Sequence, residues 1–338
     1  MDWFEKLTGF RETSYEQTRG QLEIHGASLR SRVNGASYGV GMLELASLAT
    51  LRDRVKAAPG PSGRSTTRVV TGDVRKMHHA RENAGALFQV ASQFNLLEMV
   101  GPSVTPEDGV TRYHGDHTQG PACAIAAGAA TIYRNYFAPV DGKSGQTALR
   151  QLDGLAELGA TLSAAIKRPV GEFWTMRNGY AMGKQAGLDA IGDYLGTLPT
   201  DEIDMLRGKL HIGIHSDVEV TDAEGANRPH VSQAFCSALP VAYCHPIPSA
   251  TWQPLAKLVL EAAYEATVWA AVLNERRGES NILFLTLLGG GAFGNADSWI
   301  ESAIRRALAL ARNSGLDVRL VSFGSPSRGM LAIAEDFG

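Results

Sequence analysis

Apolar positions in this chain fall into two patterns. Short runs rich in Leu and β-branched residues, bounded by Gly, Ser or Pro, recur between long segments in which Ala and Leu return every three or four residues. The first pattern predicts buried strands and the second amphipathic helices, and their alternation is that of an α/β sheet covered by helices. Strands are predicted at Arg68–Thr71, Leu87–Ala91, Lys209–Ile214, Ala238–Tyr243, Ile282–Leu288 and Val318–Phe323. Leu255, Leu258, Val259, Ala262, Ala263, Ala266, Trp269 and Val272 form one helical face, which predicts a helix over Trp252–Asn274. Ile300, Ala303, Ile304, Ala307, Leu308 and Ala311 predict a second over Ala296–Asn313, with Gly315 as its stop. Leucines 149, 152, 155, 158 and 162 predict a third over Gln146–Ala165, and a fourth is predicted over Gly183–Leu195. Residues Gly142–Arg207 therefore read as a mostly helical insertion between sheet elements. The stretch Ala57–Thr67, AAPGPSGRSTT, reads as a linker and places a domain boundary near residue 67.

Composition narrows the class. Of 338 residues, 44% are hydrophobic and 20% charged, and 32 basic against 35 acidic side chains leave a formal charge of -3, as in a folded protein with a sizeable core. No basic stripe is present, so nucleic acid is disfavoured as a partner. No run approaches the roughly 18 apolar residues of a membrane span, and MDWFEKLTGF lacks the layout of a signal peptide, so a cytoplasmic protein without a membrane partner is expected. Cys123, Cys236 and Cys244 lack CxxC spacing, which indicates neither a disulfide framework nor a structural zinc site.

Four segments could carry chemistry. Arg68–Met77, RVVTGDVRKM, ends a strand at Asp73-Val74, where the aspartate either caps a helix or accepts from an exocyclic amine. Phe88–Glu98, FQVASQFNLLE, runs from a buried strand into Ser92, Gln93, Asn95 and Glu98, the composition of an α/β site rim and also of an ordinary loop. Pro106–Tyr136 places Asp108, Asp116 and the loop Thr118-Gln119-Gly120-Pro121 before an Ala-rich helix whose first amides suit an anion or a sugar edge. Its acids are catalytic carboxylates, solvated loop acids or N-cap residues, and His114 and His117 read as loop surface. Cys123 is a packing residue or, following two histidines near a helix start, a nucleophile. Ile282–Asn295, ILFLTLLGGGAFGN, is a buried strand followed by glycines that either reverse the chain or let backbone amides approach a pyrophosphate. The loop matches neither GxGxxG nor a Walker A motif.

In this order, a strand ending in Gly-Asp-Val, a strand ending in an Asn-containing loop, a Gly-Pro loop opening a helix and strand-GGGAFGN-helix resemble the macrodomain superfamily. The resemblance spans about Arg68 to Phe323, interrupted by the insertion. It implies a three-layer α/β/α sandwich with a mixed central sheet, comprising an N-terminal extension (1–67) and an ADP-ribose-binding catalytic domain (68–338) with a helical insertion at about 142–207. It also implies an ADP-ribosyl hydrolase or a non-catalytic ADP-ribose reader; apart from the resemblance, a Cys-dependent hydrolase built on Cys123 is a further alternative. By the same resemblance Asp73 and Val74 contact adenine and Gln93 and Asn95 face the distal ribose. Asp116–Ala122, with Thr118, Gln119 and Gly120, forms the ribose-facing loop, and Phe323 borders the adenine. Gly289, Gly290, Gly291, Ala292, Phe293, Gly294 and Asn295 form the diphosphate loop. The usual Gly-Gly-Gly-Val is absent before the helix, and the acidic stretch is similar instead to the divergent MavL-type effector enzymes, which implies removal of ADP-ribose from an arginine, with ubiquitin as a candidate target. Asp116 is then expected in the base or electrostatic role, with Asp108 or Glu98 orienting the ribose or supplying a proton, and with no cofactor or metal.

Overall fold

The computed structural model describes residues 1–60 and 63–338; Pro61 and Ser62 of the predicted linker lie outside the described residues. Seven strands form the central sheet: β1 (Met42–Ser47), β2 (Thr66–Thr71), β3 (Leu87–Ala91), β4 (His211–Glu219), β5 (His230–Cys236), β6 (Ile282–Leu285) and β7 (Asp317–Ser322). Their spatial order is β1-β4-β5-β3-β6-β7-β2. The β1–β4 and β4–β5 pairs are antiparallel and the other four parallel, so the sheet is mixed as expected. Helices Ser249–Arg276 and Asp297–Leu310 cover one face, packing on Leu87, Ala234, Leu283, Leu285 and Leu320. Helices Val74–His79, Gln119–Ala126 and Gly128–Tyr136 cover the other around Phe88, Val90, Phe235 and Phe284. Adjacent residues Leu87 and Phe88 thus serve opposite layers, so this central parallel strand is apolar on both faces except at Gln89, whose buried amide donates to Thr267 Oγ1 at 3.1 Å. The result is a three-layer α/β/α sandwich.

Two expectations are corrected. Ala238–Tyr243 is a loop ending in the single turn Val241–Tyr243, and the strand lies upstream at His230–Cys236. Ser232 and Gln233 hide that strand in the sequence. Both are buried because Ser232 bonds Asn274 Oδ1 at 3.1 Å and Gln233 donates to the Cys123 carbonyl at 3.0 Å. The helix predicted from Gln146 starts only at Ala156, and Leu149 is 99% exposed. Gln146 is drawn inward instead, its amide donating to the carbonyls of Asn95 and Arg134.

The boundary near residue 67 does not separate two cores. β1 precedes it yet forms the sheet edge, and Leu48 and Leu51 join the main core. Upstream, two short helices and the antiparallel strands Leu22–His25, Ser28–Ser31 and Ser37–Gly39 bury Phe4, Leu7, Tyr15 and Leu29 against Ile125, Ile132 and Tyr136. The insertion is helical at Ala156–Ile166, Gln185–Thr197 and Thr200–Arg207, but it also contains an unpredicted hairpin, Trp174–Arg177 with Tyr180–Gly183. Among the described residues no helix is long and apolar enough to cross a membrane.

Candidate functional site

A cleft enclosing about 770 Å³, its mouth included, opens where β3, β5 and β6 end. Carboxyl ends of parallel strands are where open α/β sheets gather loops around ligands. β3 contributes Ala91, Ser92 and Gln93, β5 leads to Ala238, and β6 leads to Thr286–Leu288 and the glycine loop. The β3–β6 ladder stops at Phe88, and beyond it the Gln119 side chain takes the place of a strand. Gln119 Nε2 donates to the Gln89 carbonyl at 2.7 Å, and its Oε1 accepts from Ala91 N at 2.9 Å. Gln119 therefore lines the cleft but has both amide atoms committed to backbone, so its role is structural as well as positional. Gly120 follows because a Cβ there would lie 1.9 Å from the Ala91 carbonyl oxygen.

The glycine loop forms one wall of the cleft. Tyr264, buried in the long helix, pins its start: the hydroxyl accepts from Leu288 N at 2.8 Å and donates to the Thr286 carbonyl at 2.6 Å. Gly289 has φ +76°, and its amide-to-carbonyl reversal is closed by Asn295 N donating to Gly289 O at 2.9 Å. Asn295 is buried and bonds the carbonyls of Leu239 and Gly289 through its side chain, so it braces the loop from behind instead of lining the cleft. Among the described residues, the amides of Gly291, Ala292 and Phe293 have no protein acceptor. Three successive free amides on one wall form a concavity suited to a diphosphate. Gly290 and Gly294 shape the turn without lining the cleft.

Phe293 meets Tyr243 edge-on at 5.6 Å and Tyr180 at 5.3 Å, and Tyr180 and Tyr243 are 5.3 Å apart. Tyr180 comes from the hairpin in the insertion, and its hydroxyl donates to the Met99 carbonyl at 2.7 Å. This aromatic wall was not legible in the sequence, since neither tyrosine lies in a recognisable motif.

The three candidate carboxylates separate. Glu98 lies in the cleft floor with its side chain 1% exposed, and burial pushes its carboxyl up to about 7 although Arg134 pulls the other way. Asp116 lines the same cleft nearer solvent, where its Oδ1 accepts from Thr118 N at 2.9 Å and fixes the approach to the helix start. Asp108 lies outside. It closes a capping box with Thr105, whose backbone N and hydroxyl donate to it at 2.8 and 3.1 Å, and it stands exposed 3.9 Å from Arg112. The local demand of a helix start explains its position, and the structure does not bring Asp108 into the cleft with Glu98 and Asp116.

Gln93 and Thr118 line the cleft. Asn95 does not: it is buried, accepts from Leu97 N at 3.1 Å and donates to Gln151 at 2.8 Å. Asp73 caps helix Val74–His79 through Arg75 N at 2.9 Å, Val74 is buried, and Phe323 is 84% exposed. Gly72 N donates to Ser322 O at 2.9 Å, which brings Asp73 and Phe323 to one end of the sheet but not into this cleft. Cys123 is fully buried with Phe88 and Val90, and burial holds its thiol well above the usual range. A buried neutral thiol is no nucleophile, so the cysteine alternative is withdrawn. Native protein is expected to keep full activity after iodoacetamide treatment, with Cys123 unmodified by peptide mass mapping. No group of metal-ligating side chains occurs among the described residues.

No family model matches the chain, and no curated relative matches it. In the search of solved structures the chain is similar to poly(ADP-ribose) glycohydrolase from Deinococcus radiodurans in complex with ADP-ribose, at 13% identity over 87% of this chain and 92% of that one, with a TM-score of 0.45. It is also similar to poly(ADP-ribose) glycohydrolase from Thermomonospora curvata, at 11% identity over 96% of both chains, again with a TM-score of 0.45.

Proposed function

We propose that this protein binds ADP-ribose in the cleft and hydrolyses the glycosidic bond joining it to a protein side chain. The observation that carries the reading is the joint presence, in one cleft, of two carboxyl groups of unlike environment and a wall of three unpaired amides. The amides of Gly291–Phe293 would hold the diphosphate, and the aromatic wall would pack the ribose. As the bond from the anomeric carbon to the leaving nitrogen breaks, protonated Glu98 gives its proton to that nitrogen. Asp116 takes a proton from the attacking water, whose oxygen bonds to the anomeric carbon. The products are ADP-ribose and the restored side chain, and proton exchange with solvent resets both carboxyls. One carboxyl raised by burial beside another that is only half-buried is a usual means of dividing acid and base roles. The sequence resemblance favours arginine as the modified residue and ubiquitin as a target.

Calorimetric titration with ADP-ribose, followed by chromatography of ADP-ribose released from ADP-ribosyl-arginine protein, tests this reading. Exposed Ala292 changed to Asp sets a carboxylate beside the diphosphate and is expected to weaken binding at least about tenfold, or about 1.4 kcal/mol. Asp116→Asn is expected to keep binding and lose about 10²-fold or more in turnover. Binding without release from any ADP-ribosylated protein would make the cleft a reader; no binding would end the ADP-ribose reading.

A further inference from the structure

Behind the cleft floor, helix Gly128–Tyr136 buries Arg134 completely. A guanidinium withdrawn from water needs its donors satisfied and its charge balanced. Nε donates to the Leu96 carbonyl at 3.1 Å, Nη2 to Thr131 Oγ1 at 3.0 Å and Nη1 to His215 Nδ1 at 3.5 Å, while the guanidinium carbon lies 3.9 Å over the Phe235 ring. Its contacts with the Glu98 carboxylate are long, 3.4 and 3.5 Å, against the ~2.8 Å of a charge-assisted bond.

Two consequences follow from this geometry. Leu96 is held in the left-handed region at φ 64°, a conformation that costs a non-glycine residue about 1 kcal/mol or more and persists only under restraint. The Arg134 bond to its carbonyl is such a restraint, and it acts on the turn that carries both Gln93 and Glu98. In addition, most of Arg134's hydrogen-bond capacity is met by neutral groups, so protonating Glu98 would not strand the guanidinium.

We infer that Arg134 is the positioning residue of this cleft: it grips Leu96 to set the turn that presents Glu98, and its other partners leave the Glu98 carboxyl free to gain and lose a proton. The groups that face Glu98 are Tyr113, whose hydroxyl accepts from Glu98 N at 3.1 Å, Cys123 from the neighbouring helix, and Arg134, with His215 behind it. Burial keeps Tyr113, Cys123 and His215 neutral. Glu12 is further out, bonded to Tyr136 at 2.7 Å, and Asp116 lines the same cleft. Arg134 is therefore the cation among these groups, and it opposes the burial that raises the Glu98 carboxyl.

The effect on turnover rests on the proposed hydrolysis, whereas the ionisation of Glu98 belongs to the protein alone. The test is side-chain NMR of the full chain carrying ¹³C-labelled glutamate, with Glu98→Gln assigning the signal. Arg134→Met should raise the Glu98 midpoint by about one pH unit or more, because a cation within about 4–6 Å is lost. Arg134→Lys should recover most of that shift. Thr131→Val frees Nη2 for the carboxylate and should lower the midpoint; this nearly isosteric variant keeps the test open if Arg134→Met does not fold. Unmoved midpoints in the folded variants overturn the inference. Where turnover is present, the alkaline limb of kcat/KM should move with the NMR midpoint. Shifted midpoints with no turnover by the unsubstituted protein support Arg134's role and overturn only the hydrolase reading.

Discussion

Glu98→Gln is expected to reduce hydrolysis of ADP-ribosylated protein by about 10²–10⁴-fold while leaving ADP-ribose affinity within about threefold. The asymmetry follows from where the side chain lies. Glu98 is in the floor of the cleft, apart from the unpaired amides of the glycine loop, so its loss removes a proton donor and leaves the diphosphate wall intact. Its carboxyl, pushed up to about 7 by burial, is mostly protonated below neutral pH, and kcat/KM should therefore fall as pH rises through about 7. A pH–rate profile measured from pH 5 to 9 checks this, and a flat alkaline side would assign the donor role elsewhere. Stability follows the same ionisation. The folded value lies above the unfolded glutamate value of about 4.3, so the folded state binds the extra proton between these limits. The contribution of Glu98 to stability is complete below about pH 4 and is lost as pH rises through about 7. Glu98→Gln does not titrate, so its stability relative to the parent should rise across that window in denaturant unfolding.

The difference between what could be read from the chain and what could not has a physical pattern. Leu87–Ala91 was legible to the residue because four of its five positions are apolar, as a strand buried on both faces requires, with Gln89 the one polar exception, and the long helix was legible because one of its faces meets the sheet. The glycine loop was legible as a turn after a buried strand, because Gly289 and Gly294 take left-handed conformations, φ 76° and 69°, that glycine adopts most readily. His230–Cys236 was not, because Ser232 and Gln233 are buried by bonds to residues 42 and 110 positions away. Nor was Arg134: its sequence neighbours Tyr133 and Asn135 suggest an exposed helix face, and only the fold brings Leu96, Thr131 and Glu98 around it. Asp108 and Asp116, eight positions apart in similar loops, could not be told apart by type. A capping box claims the first, whereas the second, fixed at Thr118, keeps a place on the cleft.

Gly120→Ala is expected to cost about 3 kcal/mol of stability, at the upper end of the ~1–3 kcal/mol typical of overpacking, and to abolish most activity in the fraction that folds. The added methyl would lie 1.9 Å from the Ala91 carbonyl oxygen and 3.1 Å from Glu98 Cγ. The first of these neighbours is backbone and cannot rotate away, so either the helix start or the end of β3 must move. Both movements pull on the Gln119 amide, which holds Gln89 and Ala91 where the β3–β6 ladder has ended. A shift there separates Ser92, Gln93 and Glu98 from Asp116 and Thr118, and displacing reacting groups by about 1 Å is enough to cost about 10²-fold in rate. Gly171→Ala provides the control, because a Cβ at that helical position meets nothing within 4 Å. Guanidinium unfolding and turnover measured on both variants separate the two effects. Equal stability and activity in Gly120→Ala would mean that the junction of β3 with the helix yields without strain and that the cleft does not depend on its close fit.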